Sequence, residues 1–259
     1  MTMAQIVSVH SYRGGTGKSN ITANLAFLLA KRGQRIAVLD TDIQSPGVHL
    51  IFGIEPERMV YTLSDFVFGK CELAETVYDI DHNCGLADSA GKLYLLPSSL
   101  AVDDISRVVG EGYDVHCFSR EFKQLIAELQ LDFLFLDTHP GLNRETLLTA
   151  AISDQLLILL RPDKQDYHGT AVLLEVASRL QVPNIYLVVN KVAERVDSET
   201  MRNQIRSAYG YEVIGILPLD ATMAILGSRE LFVGCQPQHP LTKELIAIAA
   251  RLMTDGNAC

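Results

Sequence analysis

The sequence predicts an α/β fold: a mostly parallel central sheet with helices on both faces. Short, near-continuous apolar runs recur at residues 6–9, 35–39, 93–96, 133–136, 155–160, 185–189 and 213–217. Stretches with helical spacing alternate with most of them, at 20–31, 120–130, 143–152, 169–180, 198–209 and 241–253. Strands apolar on both sides and separated by helices belong to a parallel sheet covered on both faces. A third observation fixes the ligand end of the sheet. The segment Arg13-Gly14-Gly15-Thr16-Gly17-Lys18-Ser19 lies between the first apolar run and the first helical stretch, and ligands of such sheets bind beyond the carboxyl ends of the strands.

The strand at 6–9 ends in that glycine-rich loop, and the helix at 20–31 begins behind it. Glycines let successive backbone N–H groups converge on phosphate oxygens, and the helix N-terminus adds partial positive charge. Gly14, Gly15, Thr16, Gly17, Lys18, Ser19 and Asn20 are the expected phosphate cradle. Lys18 would reach the β- and γ-phosphates, and the Ser19 hydroxyl would ligate Mg²⁺. A nucleoside triphosphate is the expected ligand. The usual pattern has glycine five residues before Gly17, where this chain has Tyr12.

The helix closes on Lys31-Arg32-Gly33, cations and a glycine at its C-terminus. The strand at 35–39 runs into Asp40-Thr41-Asp42-Ile43-Gln44-Ser45-Pro46-Gly47, with two carboxylates alternating at the strand end. Residues 55–92 are the least patterned region, with a short helix expected to open at Tyr61-Thr62-Leu63-Ser64-Asp65 and a loop around 83–91. The strand at 133–136 ends in Asp137-Thr138-His139-Pro140-Gly141, that at 185–189 in Asn190-Lys191, and that at 213–217 in Pro218-Leu219-Asp220.

The 259 residues, 48% hydrophobic, are ample for one large core and are expected to form a single P-loop domain over 1–259. No stretch reaches the ~18 apolar residues a bilayer span needs, and the N-terminus has no signal-peptide pattern. A cytoplasmic protein is expected. Cys71, Cys84, Cys117, Cys235 and Cys259 are scattered without a Cys-x-x-Cys pair, so neither a metal site nor a disulfide framework is indicated.

Arg13 ahead of Gly14-Gly15 resembles the deviant Walker A motif of the MinD/ParA family of ATPases. The resemblance extends in the family's order from residue 6 to residue 220. It implies ATP and Mg²⁺ as ligands, slow hydrolysis without a partner, and an ATP-dependent homodimer. In the family the early cation is lysine and reaches across the dimer interface to the partner's nucleotide. Arginine is a departure, although its planar fork can clamp phosphate oxygens and never loses charge. Two readings of Arg13 stay open: this crossing role, or a pairing with a nearby carboxylate. The segment after residue 39 resembles switch I. Asp42 would orient the attacking water and hold a water of the Mg²⁺ shell, with Asp40 supporting from behind. Asp137 resembles the Walker B aspartate, bound to Mg²⁺ through water, and the Gly141 amide the γ-phosphate sensor of switch II. Relatives carry proline or a small residue where His139 stands, and no catalytic role is assigned to it. Asn190, with Lys191, resembles the residue that bonds the adenine edge, and Pro218 with Asp220 the loop that packs over the base.

The family's members differ in their extra devices. The cysteine pair of the iron–sulfur carriers, the terminal tyrosine cluster of related kinases and the basic amphipathic tail of MinD itself are not evident. The chain's last residues read Thr254-Asp255-Gly256-Asn257-Ala258-Cys259, and the helix at 241–253 carries only Lys243 and Arg251 as cations. The formal charge of −9 weighs against nucleic acid as a partner. The candidate patch is Lys191, Arg195, Arg202 and Arg206, with Arg202 and Arg206 on one helix face. The expected function is a dimerisation switch that positions or regulates a cellular assembly through an unknown activating or cargo protein. Residues 55–92 are the candidate recognition segment. The alternatives are a P-loop enzyme driving ligation or metal or cofactor insertion, and a ParA-type nucleoid-binding partition ATPase.

Overall fold

Each apolar run becomes a strand. The computed structural model of the chain describes residues 4–111 and 118–255; Cys117 and the terminal Gly256-Asn257-Ala258-Cys259 lie outside the described residues. In chain order the elements are β1 (Gln5–His10), α1 (Lys18–Lys31), β2 (Arg35–Asp40), α2 (Val48–Ile51), α3 (Leu63–Val67), β3 (Tyr78–Asp79), β4 (Lys92–Leu96), α4 (Val102–Glu111), α5 (Phe118–Leu129) and β5 (Phe133–Asp137). They continue as α6 (Arg144–Ala151), β6 (Gln155–Leu160), α7 (Lys164–Arg179), β7 (Asn184–Val192), α8 (Ser198–Tyr209), β8 (Glu212–Pro218), α9 (Ala221–Leu226), α10 (Phe232–Cys235) and α11 (Pro240–Asp255). Among the described residues no helix is long and apolar enough to cross a membrane.

The strands form one sheet in the order β3-β4-β2-β5-β1-β6-β7-β8, parallel except for the β3–β4 pair. Side chains alternate across it. Val7, Val9, Ile36, Val38, Phe133 and Phe135 face a core closed by α1, α10 and α11. Leu39, Leu134 and Leu136 pack with Phe122 and Leu125 of α5 on the opposite face, and Ile158, Leu160, Leu187 and Val189 pack with α7 and α8. Helix α1 is buried along nearly its whole length, from Ile21 through Ala30, so its apolar residues occupy every side rather than one stripe.

One local expectation needs correction. Helix α7 starts at Lys164, five residues before the expected start at 169. Its polar first turn shows no apolar stripe, but Asp163 caps it by accepting the amides of Gln165 and Asp166, each at 3.0 Å. The sequence reading passes over the two-residue β3, too short to show a period, and helix α4, although Val102, Ile105, Val108 and Val109 recur in it at helical spacing. The short helix expected near 61–65 is α3, with Thr62 and Asp65 forming a capping box.

Register places the chemistry. β1 and β2 both flank β5, with Val9 opposite Asp137 on one side and Asp40 opposite Asp137 on the other. The glycine-rich loop after β1 and the acidic ends of β2 and β5 therefore meet at one edge, where β1 and β6 continue the sheet in the other direction. This is the topological switch point, beyond the carboxyl ends of the strands.

Candidate functional site

The loop between β1 and α1 turns through left-handed backbone at Gly15 (φ 72°) and Gly17 (φ 99°), conformations that a side chain disfavours. At Gly17 space adds a second constraint, since a Cβ there would stand 2.7 Å from Asn190 Nδ2. Lys18 opens α1 and is buried. Ser19 Oγ donates to Asp137 Oδ2 at 2.6 Å, and Thr22 Oγ1 donates to Asp137 Oδ1 at 3.2 Å. The Ser19–Asp137 pair was legible in sequence; Thr22 was not, although it lies one helical turn beyond Lys18 on the same face.

Asp40 is fully buried and organises the start of the next loop. Its Oδ2 accepts the amides of Gly47 (3.0 Å) and Val48 (3.3 Å), and its Oδ1 accepts that of Asp42 (3.1 Å). Three carboxylates so close together in a buried site raise one another's proton affinity. Burial, then the charge of Asp137, hold the Asp40 carboxyl well above the usual range. Burial pushes Asp137 up to about 6, opposed by the Ser19 hydroxyl and by Lys18. Burial raises Asp42 as well, against a protonated His139 and the charge of Lys18. Lys18 itself is lowered by burial and held up by Asp137, Asp42 and Asp40 in turn. One lysine among three carboxylates, Asp40 and Asp137 of them buried, leaves excess negative charge, which a hard cation with oxygen ligands suits. Among the described residues no three His, Cys, Asp or Glu side chains are grouped to enclose a metal unaided.

Behind β5, the Thr138 hydroxyl donates to the Val9 carbonyl (2.9 Å) and accepts from His10 Nδ1 (2.6 Å), tying this loop to β1. The Gly141 amide donates to the Ser11 carbonyl at 2.9 Å. In this state the residue expected to sense γ-phosphate is bonded to the chain entering the phosphate loop.

The base-side residues are drawn together too. Asn190 Nδ2 donates to the Thr16 carbonyl (2.8 Å), its Oδ1 accepts the Lys191 amide (2.8 Å), and Lys191 Nζ donates to the Gly15 carbonyl (2.8 Å). Lys191 reaches there because β7 is irregular between Val189 and Val192 and Lys191 takes a left-handed φ of 61°, a strained conformation of the kind found at functional sites. Asp220 caps α9 through the Met223 amide (2.8 Å) and faces His239 Nε2 at 3.4 Å. Asn20 Nδ2 donates to Ser228 Oγ at 2.8 Å. Together Gly17, Asn20, Asn190, Pro218, Asp220 and Met223 help line a cavity of about 220 Å³ beside the phosphate loop. Ser228 and His239 were not legible as site residues, since each lies beyond the last readable motif.

Arg13 lies at the outer lip. Its guanidinium is 3.6 Å from both Asp163 and Asp166, at the start of α7, and its side chain is 39% exposed. Asp166 is already held by Arg161 at 3.1 Å. Tyr12, the residue in place of the usual glycine, lays its ring on α7 at Gly169, where a Cβ would stand 2.0 Å from the ring. Of the candidate nucleic-acid patch, Lys191 is bonded to Gly15 and Arg202 to the Val213 carbonyl.

A glycine-rich loop at the end of a central parallel strand, a buried lysine, a hydroxyl on a strand-end aspartate and a neighbouring base-sized cavity define a P-loop nucleotide-binding protein. The CobQ/CobB/MinD/ParA nucleotide binding domain matches residues 7–233, and the chain belongs to this family of MinD/ParA-like P-loop ATPases. An uncharacterized ATP-binding protein of Methanocaldococcus jannaschii is 27% identical over 254 residues, covering 97% of this chain and 88% of that protein. The septum site-determining protein MinD of Thermotoga maritima is 24% identical over 263 residues, covering 98% and 90%. The solved MinD of Pyrococcus horikoshii, complexed with Mg-ADP, shares the fold with a TM-score of 0.81 at 19% identity, over 99% of this chain and 98% of that one.

Proposed function

We propose that the chain is a cytoplasmic, Mg²⁺-dependent ATPase working as a dimerisation switch that positions or regulates a cellular assembly through a partner protein. Backbone amides of Gly14 to Asn20 would hold the phosphates, with Lys18 on the β- and γ-oxygens. Ser19 would ligate Mg²⁺ directly and Asp137 through water, and the ion would neutralise charge between the β- and γ-phosphates. Asp42 would orient the attacking water. Hydrolysis adds the water oxygen to the γ-phosphorus and breaks the bond to the bridging oxygen, releasing ADP, phosphate and a proton. The Gly141 amide would exchange the Ser11 carbonyl for a γ-phosphate oxygen.

The observation that carries the switch is the state of Arg13. It stands at the site's lip, partly exposed, 3.6 Å from two carboxylates, longer than a charge-assisted hydrogen bond. The Arg13–Asp163 pair is exposed and contributes at most about 1 kcal/mol, and the buried Asp166 keeps Arg161 as its cation when Arg13 leaves, so the contact is readily exchanged for phosphates of a second copy. If Arg13 crosses, dimerisation and ATP binding favour each other. Light scattering with a slowly hydrolysed ATP analogue tests this. Wild type and Arg13→Lys should dimerise, and Arg13→Ala should bind nucleotide as a monomer. A wild-type chain that stays monomeric at saturating analogue refutes the switch.

A further inference from the structure

From sequence alone His139 carries no catalytic role. In the structure its ring lies between the two loops that flank the phosphate site. Nδ1 is 2.8 Å from the Pro140 carbonyl oxygen. A carbonyl only accepts, so Nδ1 carries the hydrogen, and in the neutral ring Nε2 is left as a bare acceptor. Asn143 Nδ2 stands 3.4 Å from the same Nδ1; both atoms are then donors, so this longer contact is no hydrogen bond and the Pro140 carbonyl alone holds the ring. Nε2 points at switch I, 4.0 Å from Asp42 Oδ1.

That separation exceeds a direct charge-assisted hydrogen bond by about 1 Å. Two acceptors facing each other need a donor between them, and a water about 2.8 Å from each spans the gap. We propose that His139 Nε2 and Asp42 Oδ1 together orient the water that attacks the γ-phosphate. A water giving one hydrogen to each acceptor turns its lone pairs away from both, which is the orientation in-line attack requires. Each acceptor is fixed from its own side: Asp42 Oδ1 accepts the Ser45 amide at 3.2 Å, and His139 is held through Nδ1. The two loops leave adjacent strands with Asp40 and Asp137 in register, so the water position depends on both loops at once. Side-chain exposures of 13% for Asp42 and 28% for His139 leave the gap open to solvent.

The proposal rests on the ATPase reading, and two variants separate it from a purely structural role. His139→Asn keeps a donor near the Nδ1 position for the Pro140 carbonyl and removes the Nε2 acceptor. His139→Gln brings an amide oxygen to the Nε2 position. With affinity for Mg·ATP within about twofold of wild type, His139→Asn should lose about tenfold or more in single-turnover hydrolysis, as expected when a reacting group is misplaced. His139→Gln should recover to within about threefold. A second readout is retention of Mg·ADP trapped with aluminium fluoride: wild type and His139→Gln should hold it, and His139→Asn should release it. Wild-type turnover and trapping in His139→Asn overturn the proposal, as does an equal loss in both variants accompanied by weakened ATP binding. If wild type binds ATP without turning it over, the ATPase reading fails by itself. Trapping then decides this proposal, and equal retention in wild type and His139→Asn, or none in wild type, overturns it.

Discussion

The phosphate half and the base half of the site are built on opposite principles. Around β1, β2 and β5, charges are left unbalanced: Asp40, Asp42 and Asp137 share one lysine, burial raises all three carboxyls, and neighbouring carboxylates raise Asp40 and Asp137 further. Around β7 and β8, polar groups are already bonded among themselves, Asn190 and Lys191 to the phosphate loop and Asp220 to α9 and His239. An unbalanced half gains strongly from a ligand that brings a cation. A satisfied half can offer shape and support at little cost in free energy, but contributes less charge-driven affinity.

The largest effect should come from the unbalanced half. Lys18→Ala removes a charge-assisted contact worth about 1.5–3 kcal/mol and leaves three carboxylates without their cation. Calorimetry should show Mg·ATP affinity falling by roughly 100-fold, and falling further for ATP than for ADP. Equal losses for the two nucleotides would erase the distinction between the halves.

Asn190→Ala tests the other half. Losing its bonds to Thr16 and Lys191 costs about 1 kcal/mol each at most, so affinity should drop roughly tenfold. If Asn190 acts as a brace of the loop, ATP and GTP weaken by the same factor. A selective loss for ATP in competition titrations would mean that the side chain leaves Thr16 to read the adenine edge.

The last effect concerns stability rather than affinity, in the strand beneath both halves. Burial, then the charge of Lys18, push His10 down to about 3 from the ordinary 6.5. The unfolded chain then binds more protons below pH 6.5, so this contribution to stability is full above 6.5 and lost as pH falls toward 3. Between pH 7 and 5 wild type should lose about 2 kcal/mol relative to His10→Asn, which cannot titrate. Parallel denaturant curves in the two proteins at both pH values would remove His10 from the linkage.

What could be read in advance follows the same division. Lys18, Ser19, Asp42 and Asp137 belong to local patterns, a loop between strand and helix or an acid at a strand end, and local patterns survive in a linear text. The bond from Asn190 to Thr16 joins residues 174 positions apart, and no spacing announces it. The same holds for Asp220 with His239 and for Arg13 with Asp163 and Asp166. Arg13 had two readings because its partner, the cap of α7, sat in a polar turn without apolar periodicity. Strand β3 was missed for a simpler reason: two residues cannot display a period of two.

Tyr12 and Gly169 carry a consequence for how such chains diverge. A ring at 12 fills the volume a side chain at 169 would need, so the two positions are one steric unit, although they stand 157 positions apart in sequence. Descendants that restore glycine at 12 free the helix to accept alanine at 169, whereas alanine arriving first collides with the ring. Substitutions along a lineage should therefore appear in that order, and a relative combining an aromatic residue at 12 with any side chain at 169 must have shifted α7 away from the loop.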